Sequence, residues 1–297
     1  MPNPREGACW AFIRGSFEFF VYGWYPDTEK WRVNLSFILL IFAIVGVLKE
    51  RLPGKKYWLW FAAAFPFIAA WLLLGGLGLQ PVETSKLGGI LLTIIIGVTG
   101  ISFSLPIGIV LALGRRSNMP ALKTVCVLFI EFIRGVPLIT LLFVASTMLT
   151  YFLPPGSTFD LLMRVLIMVT LFSSAYIAEV VRGGLQGLPP GQYEAADSLG
   201  LTYWKAHRLI ILPQALKISI PGIVNTFIGL FKDTTLVLII GMMDIVGLGR
   251  ARLNDPYWLG LAGELYLFIA IFFFICCFSM SRYSINLENK LSTGRRD

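Results

Sequence analysis

"YEAADSLGLTYWKAHRLIILPQALK", Tyr193 to Lys217, is polar, basic and helix-prone, and it lies inside a chain that is otherwise apolar. Its surroundings decide the fold. Hydrophobic residues make up 56% of the 297 residues, charged residues only 14%, and mean hydropathy is +0.75. A soluble domain carries about a quarter charged residues. The deficit places the chain in a bilayer, as an all-α polytopic membrane protein. The formal net charge of +8 then fits Lys and Arg in cytoplasmic loops better than a nucleic-acid surface, so no nucleic-acid partner is expected.

A spanning helix needs about 20 mainly apolar residues. Working outward from the polar stretch, seven segments qualify: 33–48, 57–79, 87–113, 125–152, 161–181, 218–243 and 258–280. Residues 11–25 are aromatic-rich but too short and too charged to span, and an interfacial position suits them. "MPNPREGACWAFIRGSFEFF" has no short apolar run followed by a small-residue cleavage site, so no signal peptide is expected. Alternate loops differ in basic charge. One set holds Lys49, Arg51, Lys55, Lys56, Arg115, Arg116, Lys123, Arg182, Lys205, Arg208, Lys217, Arg282, Lys290, Arg295 and Arg296; the other holds fewer than half as many. The richer set is expected in the cytoplasm. That puts the N-terminus outside, the C-terminus inside and the opening stretch in the cytoplasm. Cys9, Cys126, Cys276 and Cys277 have no His at metal-ligand spacing and read as buried, reduced thiols. Glycines run through "GGILLTIIIGVTGISFSLPIGIVLALG", which suits close helix packing, and Pro106 within it should bend the helix.

In "PPGQYEAADSLG", Pro189 and Pro190 suit a first helical turn, which needs no N–H donors. Gly200 suits the left-handed residue that ends a helix. The spacing predicts a helix of two or three turns. After it, Trp204, Leu209 and Ile210 form an apolar stripe, and Pro213 opens the next span.

These residues carry a resemblance. E-A-A, three residues, G, nine residues and I-x-L-P is the signature of the inner-membrane permease subunits of bacterial ABC importers. Here it reads Glu194-Ala195-Ala196, Gly200, Ile210 and Leu212-Pro213. "FIRGVPLITLLF" (132–143), "SAYIAEVVRGGLQGLPPGQYEAA" (174–196) and "FKDTTLV" (231–237) resemble the polar amino-acid uptake branch. The N-terminal hairpin resembles the longer permease of general L-amino-acid importers. The resemblance implies a type I importer core of five helices over 81–287, a tail and two-helix addition over 1–80, and a cytoplasmic tail over 288–297. It also implies that residues 189–200 are a coupling helix docked on a separate ATPase. The implied partners are an ATPase dimer, a second homologous permease, an extracytoplasmic amino-acid-binding protein and membrane lipid. ATP would be bound by the partner and no cofactor by this chain. Thin Ala195 and Ala196 let a partner approach, and Glu194 offers a carboxylate to a basic group.

Lys232 and Asp233 read as an intramembrane charged pair. One such charge costs roughly 2.5–3.5 kcal/mol at mid-bilayer and is functional by default. With Thr234 and Thr235, the pair is a candidate contact for a zwitterionic amino acid, or else a structural tie between helices. Glu131 and Arg134, three apart, can pair on one helix face, with Gly135 and Pro137 suggesting a bend beside them. A structural pair is favoured there over a substrate contact. Glu179 and Arg182 repeat that spacing near the coupling loop. Glu264 is placed to face a cavity or water, and His207 reads as a surface residue. No G-x-x-x-x-G-K-[ST], H-E-x-x-H or G-x-S-x-G is present, so no enzymatic activity is expected. An ion-gradient-driven secondary transporter would show two symmetric halves, and the sequence has none. A membrane-embedded assembly factor or enzyme would show a catalytic constellation near an interface, and none is visible.

Overall fold

The structure is a computed structural model that describes residues 10–49, 52–148, 151 and 159–292. Cys9, Arg51, Phe152, Arg295 and Arg296, which entered the sequence reading, lie outside the described residues, as does half of the predicted C-terminal tail, residues 293–297. The elements are α1 (Ala11–Tyr22), α2 (Lys30–Leu48), α3 (Lys55–Leu74), α4 (Gly89–Arg115), α5 (Pro120–Gly135), α6 (Leu138–Phe143), α7 (Leu161–Gln186), α8 (Pro190–Ser198), α9 (Tyr203–Ile240), α10 (Ile245–Leu253) and α11 (Ala262–Ser292). Among the described residues there is no strand element.

Helices α2, α3, α4, α7, α9 and α11 are long and apolar enough to cross a membrane. At 1.5 Å per residue, even 20 residues cover about 30 Å, the thickness of the hydrocarbon core. The predicted fourth span is the exception. It is broken into α5 and a second piece reaching Met148, bent by 102° against each other. The break follows from Pro137. A proline disfavours helical backbone at the residue before it, and Val136 is extended, with φ −111° and ψ 133°. Among the described residues the count is therefore six unbroken spans, or seven with the bent pair.

Other boundaries also move. α3 stops at Leu74, short of the predicted end, because Gly75 and Gly76 turn with positive φ. α9 starts at Tyr203, well before the predicted Ile218, so Pro213 lies inside a continuous helix rather than opening one. A π-helical turn over His207–Ile211 directly precedes that proline. Proline lacks an N–H and crowds the carbonyl four residues back, and a widened turn accommodates both. The predicted Trp204–Leu209–Ile210 stripe does not form one buried face: Trp204 is 72% and Leu209 65% exposed. α4 runs unbroken through Pro106. Of the cysteines expected to be buried, Cys126 is buried and Cys276 and Cys277 are half-buried.

Helix α1 is more than an interfacial strip. Phe12, Ile13 and Phe20 are buried in a cluster with Ile245 of α10 and with Leu265 and Ile269 of α11. It packs where α4 begins, at Gly88 and Gly89. α1 and α10 thus close one end of the bundle, and α8 lies at the other. The α2–α3 hairpin stands beside α4 and α7, tied at one end by the buried Arg32. Its guanidinium lies 2.7 Å from Glu29 and donates to the Gln80 carbonyl at 2.7 Å.

The centre is α4, α7 and α9. Lipid tails are as apolar as leucine, so helix contact in a bilayer depends on close packing at small residues. A Cβ added to Gly108 of α4 would sit 2.5 Å from Ile177 Cγ2 of α7. One added to Gly184 of α7 would overlap Ser219 Oγ and lie 2.5 Å from the Ala215 carbonyl of α9. There Ser219 reaches the Val180 carbonyl of α7 at 3.2 Å and its own Ala215 carbonyl at 2.9 Å. Gly184→Val should lower the thermal stability of the detergent-purified chain, since overpacking costs about 1–3 kcal/mol. Gly183→Ala, with open space around its position, should leave the melting temperature unchanged. Equal behaviour of the two variants would show that the α7–α9 seam tolerates a side chain.

Candidate functional site

Three features stand out along α7 and its neighbours: a short exposed helix, a charged hub and a polar cavity. The short helix is α8, nine residues from Pro190. It ends as the sequence predicts. Gly200 has φ +65°. Its N–H donates to the Asp197 carbonyl at 2.9 Å, and the Leu201 N–H donates to the Ala196 carbonyl at 3.2 Å. This is the paired closure of a glycine-terminated helix. Ala196 is buried, whereas Glu194 and Ala195 face outward, so the E-A-A triplet presents two of its three side chains. Leu199, Tyr203, Trp204 and Leu209 are exposed beside them. Of the I-x-L-P residues, Ile210 and Leu212 are half-buried against the α7–α9 core, and only Pro213 is exposed. His207 stays at the surface, where Nδ1 pairs with the Tyr203 carbonyl at 2.9 Å and its ring lies 4.0 Å from the Tyr203 ring.

Tyr193 fastens α8 to the bundle. Its hydroxyl donates to the Leu185 carbonyl at 3.0 Å and accepts from Arg116 at 3.0 Å. The Arg116 guanidinium also sits over its ring, 5.5 Å from the centroid.

The charged hub centres on Glu179. Its carboxylate lies 2.9 Å from Arg115 of α4, 2.9 Å from Arg182 and 3.6 Å from Arg134 of α5. Three guanidiniums converge on one largely buried carboxylate, and charged groups in an apolar setting need such pairing. The predicted Glu179–Arg182 pair is therefore present, inside a larger network. The predicted Glu131–Arg134 pair is not: Glu131 bonds Arg115 at 2.7 Å instead. Arg134 turns to Glu179 and to the face of Tyr176, 5.5 Å from the ring centroid. The sequence spacing allowed an intrahelical pair, but partners on α4 and α7 provide a buried carboxylate that one helix cannot.

The cavity, of about 320 Å³, lies between α7 and α9. Its walls carry Ser173 and Tyr176 from α7, and Asn225, Thr226 and Asp233 from α9. Asp233 has no ion pair within 4.0 Å among the described residues. Lys232 does not line the cavity; it is exposed on another face of α9. The two are neighbours in a helix, about 100° apart around the axis, so the predicted charged pair does not form. Thr234 is buried and donates to the Phe231 carbonyl, and Thr235 donates to the Lys232 carbonyl. Both hydroxyls serve their own helix. Glu264 is half-buried at the start of α11 and is not part of the cavity wall.

Sequence reasoning found Asp233 and missed its company. A signal was present. Asn225, Thr226, Gly229 and Asp233 recur at helical spacing, one polar stripe in an apolar span. The role of Arg115 at the hub had no such signal, because it depends on how α4 packs against α5 and α7. Asp244, also missed, caps α10 at the opposite end of the bundle by accepting from the Gly247 N–H at 2.9 Å. Burial pushes its carboxyl up to about 6.

Comparison with known proteins agrees with this architecture. Residues 104–293 match the family model "Binding-protein-dependent transport system inner membrane component". The chain is 52% identical to the inner membrane amino-acid ABC transporter permease protein YhdY of Escherichia coli (strain K12), over 98% of this chain and 80% of that one. It is 47% identical to the glutamate/glutamine/aspartate/asparagine transport system permease protein BztC of Rhodobacter capsulatus, again over 98% of this chain and 80% of the relative. Among solved structures, it is similar to the crystal structure of an amino acid ABC transporter with histidines. That match has a TM-score of 0.59 and 30% identity, covering 67% of this chain and 90% of the other. A match of this extent and identity, on a helical bundle with a short exposed helix at one end, settles the family: the chain belongs to the inner-membrane components of binding-protein-dependent transport systems.

Proposed function

We propose that this chain forms the substrate path of an ATP-driven amino-acid importer. It works with a separate ATPase dimer, which binds the ATP, with an extracytoplasmic binding protein and with a second, homologous permease. The observation that carries the reading is the polar cavity between two spanning helices, on the same framework as α8. Its volume equals about ten water volumes, room for one amino acid. Asp233, with no ion pair within 4.0 Å among the described residues, is suited to the substrate ammonium, while Asn225, Thr226 and Tyr176 offer hydrogen bonds to its carboxylate. Lys232, Thr234, Thr235, Glu131 and Arg134 support the path from outside the cavity wall. The names of the relatives favour amino acids, acidic or amide-bearing ones among them.

Glu194, Ala195 and Gly200, with Ala196 as the buried anchor, form the surface that an ATPase cleft engages. Ile210, Leu212 and Pro213 fix the helix that leaves it. Tyr193, Leu185 and the Glu179 hub give this surface a continuous mechanical connection to Tyr176 at the cavity wall. Residues 1–80 form the tail and hairpin addition, 81–287 the permease core, and 288–297 a cytoplasmic tail.

The loop charges orient the chain in the inner membrane with α8 and the C-terminus in the cytoplasm and the N-terminus outside. An impermeant thiol reagent added to spheroplasts should label a single cysteine at Leu77, 94% exposed, and not one at Thr202. The opposite pattern overturns the orientation.

Uptake should be reconstituted in proteoliposomes with the ATPase, the second permease and the binding protein, using labelled glutamate, glutamine and neutral amino acids. Asp233→Asn is expected to raise the KM for uptake about 10- to 100-fold, the equivalent of one hydrogen bond to a charged group. Unchanged uptake by this variant would remove Asp233 from the path. Gly200→Val places a β-branched residue at positive φ, at a cost of about 1–3 kcal/mol. The chain should still insert, but ATPase binding and uptake should fall together. Wild-type uptake with substrate-stimulated ATP hydrolysis intact would show that α8 does not couple through this turn.

A further inference from the structure

A second cavity is larger than the polar one. It is a cleft of about 410 Å³ between the α2–α3 hairpin and the α4–α7 wall. Phe37, Ala69, Ile95, Val98 and Leu166 line it, and its surface is almost entirely apolar. An apolar cavity of about 150 Å³ stays dry and takes up a benzene-sized molecule; this one is more than twice that size. All four walls are membrane-spanning helices, so the medium at its opening is hydrocarbon. The α3 side runs from Phe65 to Leu74 and the α7 side from Asp160 to Leu171. At 1.5 Å per residue these are about 14 and 17 Å, close to half of a 30 Å hydrocarbon core. The α4 side is longer, from Leu91 to Ile107, about 24 Å, and the cleft opens toward the end of the bundle opposite α8, where Asp160 precedes α7.

Two polar groups give it direction. Ser36 of α2 lines the cleft, is 4% exposed, and its Oγ has no hydrogen-bond partner. A buried hydroxyl without a partner is costly, and serine in a helix usually donates to its own backbone. At the mouth, Asp160 accepts from the Thr84 hydroxyl and from the Met163 N–H. No cation lies within 4.0 Å of its carboxylate among the described residues. An apolar trough with one donor inside it and one unneutralised carboxylate at its rim is complementary to a chain bearing an ester carbonyl and an ammonium.

We infer that the cleft binds one acyl chain of a phospholipid with an amine headgroup, from the leaflet opposite α8. Ser36 donates to the ester carbonyl and Asp160 faces the ammonium. The lipid fills the space that would otherwise separate the hairpin from the core. This site is independent of the substrate cavity, on the other side of α7.

The test is native mass spectrometry of the full-length chain, purified in mild detergent and mixed with palmitoyl-oleoyl-phosphatidylethanolamine or the matching phosphatidylglycerol. The wild-type chain should retain one phosphatidylethanolamine and bind it about tenfold more tightly than phosphatidylglycerol. Ala69→Trp and Ala70→Trp, which fill the cleft, should lose the bound lipid. Asp160→Asn keeps the helix cap and should bring the two lipids to equal affinity. Ser36→Ala, which scarcely perturbs packing, should release phosphatidylethanolamine at lower collision energy. A wild-type chain that retains no phosphatidylethanolamine, or retains both lipids equally, overturns the proposal. So does unchanged retention in both tryptophan variants. If the tryptophan variants fail to fold, the Ser36→Ala and Asp160→Asn results decide, and wild-type behaviour in both overturns it.

Discussion

Close approach of α7 to α4 and α9 is the constraint on which the rest of the structure depends. In water, helices are driven together by burial of apolar surface. In a bilayer that drive is nearly absent, and contact must come from fit and from hydrogen bonds. Gly108 and Gly184 allow the fit, and Ser219 adds a hydroxyl that spans α9 and α7. Once these three helices are in contact, the positions of the functional groups follow. Glu179 faces α4 and α5, Tyr176 and Ser173 face the cavity, and Tyr193 docks under Leu185.

The polar groups show a division of labour imposed by the low dielectric. At Glu179 three guanidiniums share one largely buried carboxylate, and at the hairpin the buried Arg32 pairs with Glu29. The threonines after Asp233 spend their hydroxyls on their own helix. Asp233 lines the open cavity between α7 and α9 and has no ion pair among the described residues. A carboxylate in that setting is costly unless a cation or hydrogen-bond donors compensate it.

Most of the fold was legible from hydropathy, because span length is set by bilayer thickness and each span is a local statement about twenty residues. Gly200 was legible too, since only its own backbone decides whether glycine is required there. The failures were non-local. Pro137 was visible, but its effect as a break of 102° depends on two flanking pieces each being able to pack alone. Glu131 and Arg134 have the right spacing for each other, yet three-dimensional packing offered each a different partner. Lys232 and Asp233 look paired because they are adjacent in the sequence, and the helix separates them for that very reason.

The seam at Gly184 and Ser219 has a mechanical consequence. Ser173, on the cavity wall, lies eleven residues along α7 from Gly184, about 16 Å at helical rise. A seam without interlocking side chains acts as a fulcrum, with that length as its arm. A tilt of about 10° of α7 against α9 would move the cavity wall by about 3 Å, the reach of one hydrogen bond. Small rotations near the α8 end would thereby become displacements of whole contact distances at the cavity wall, with no change inside either helix.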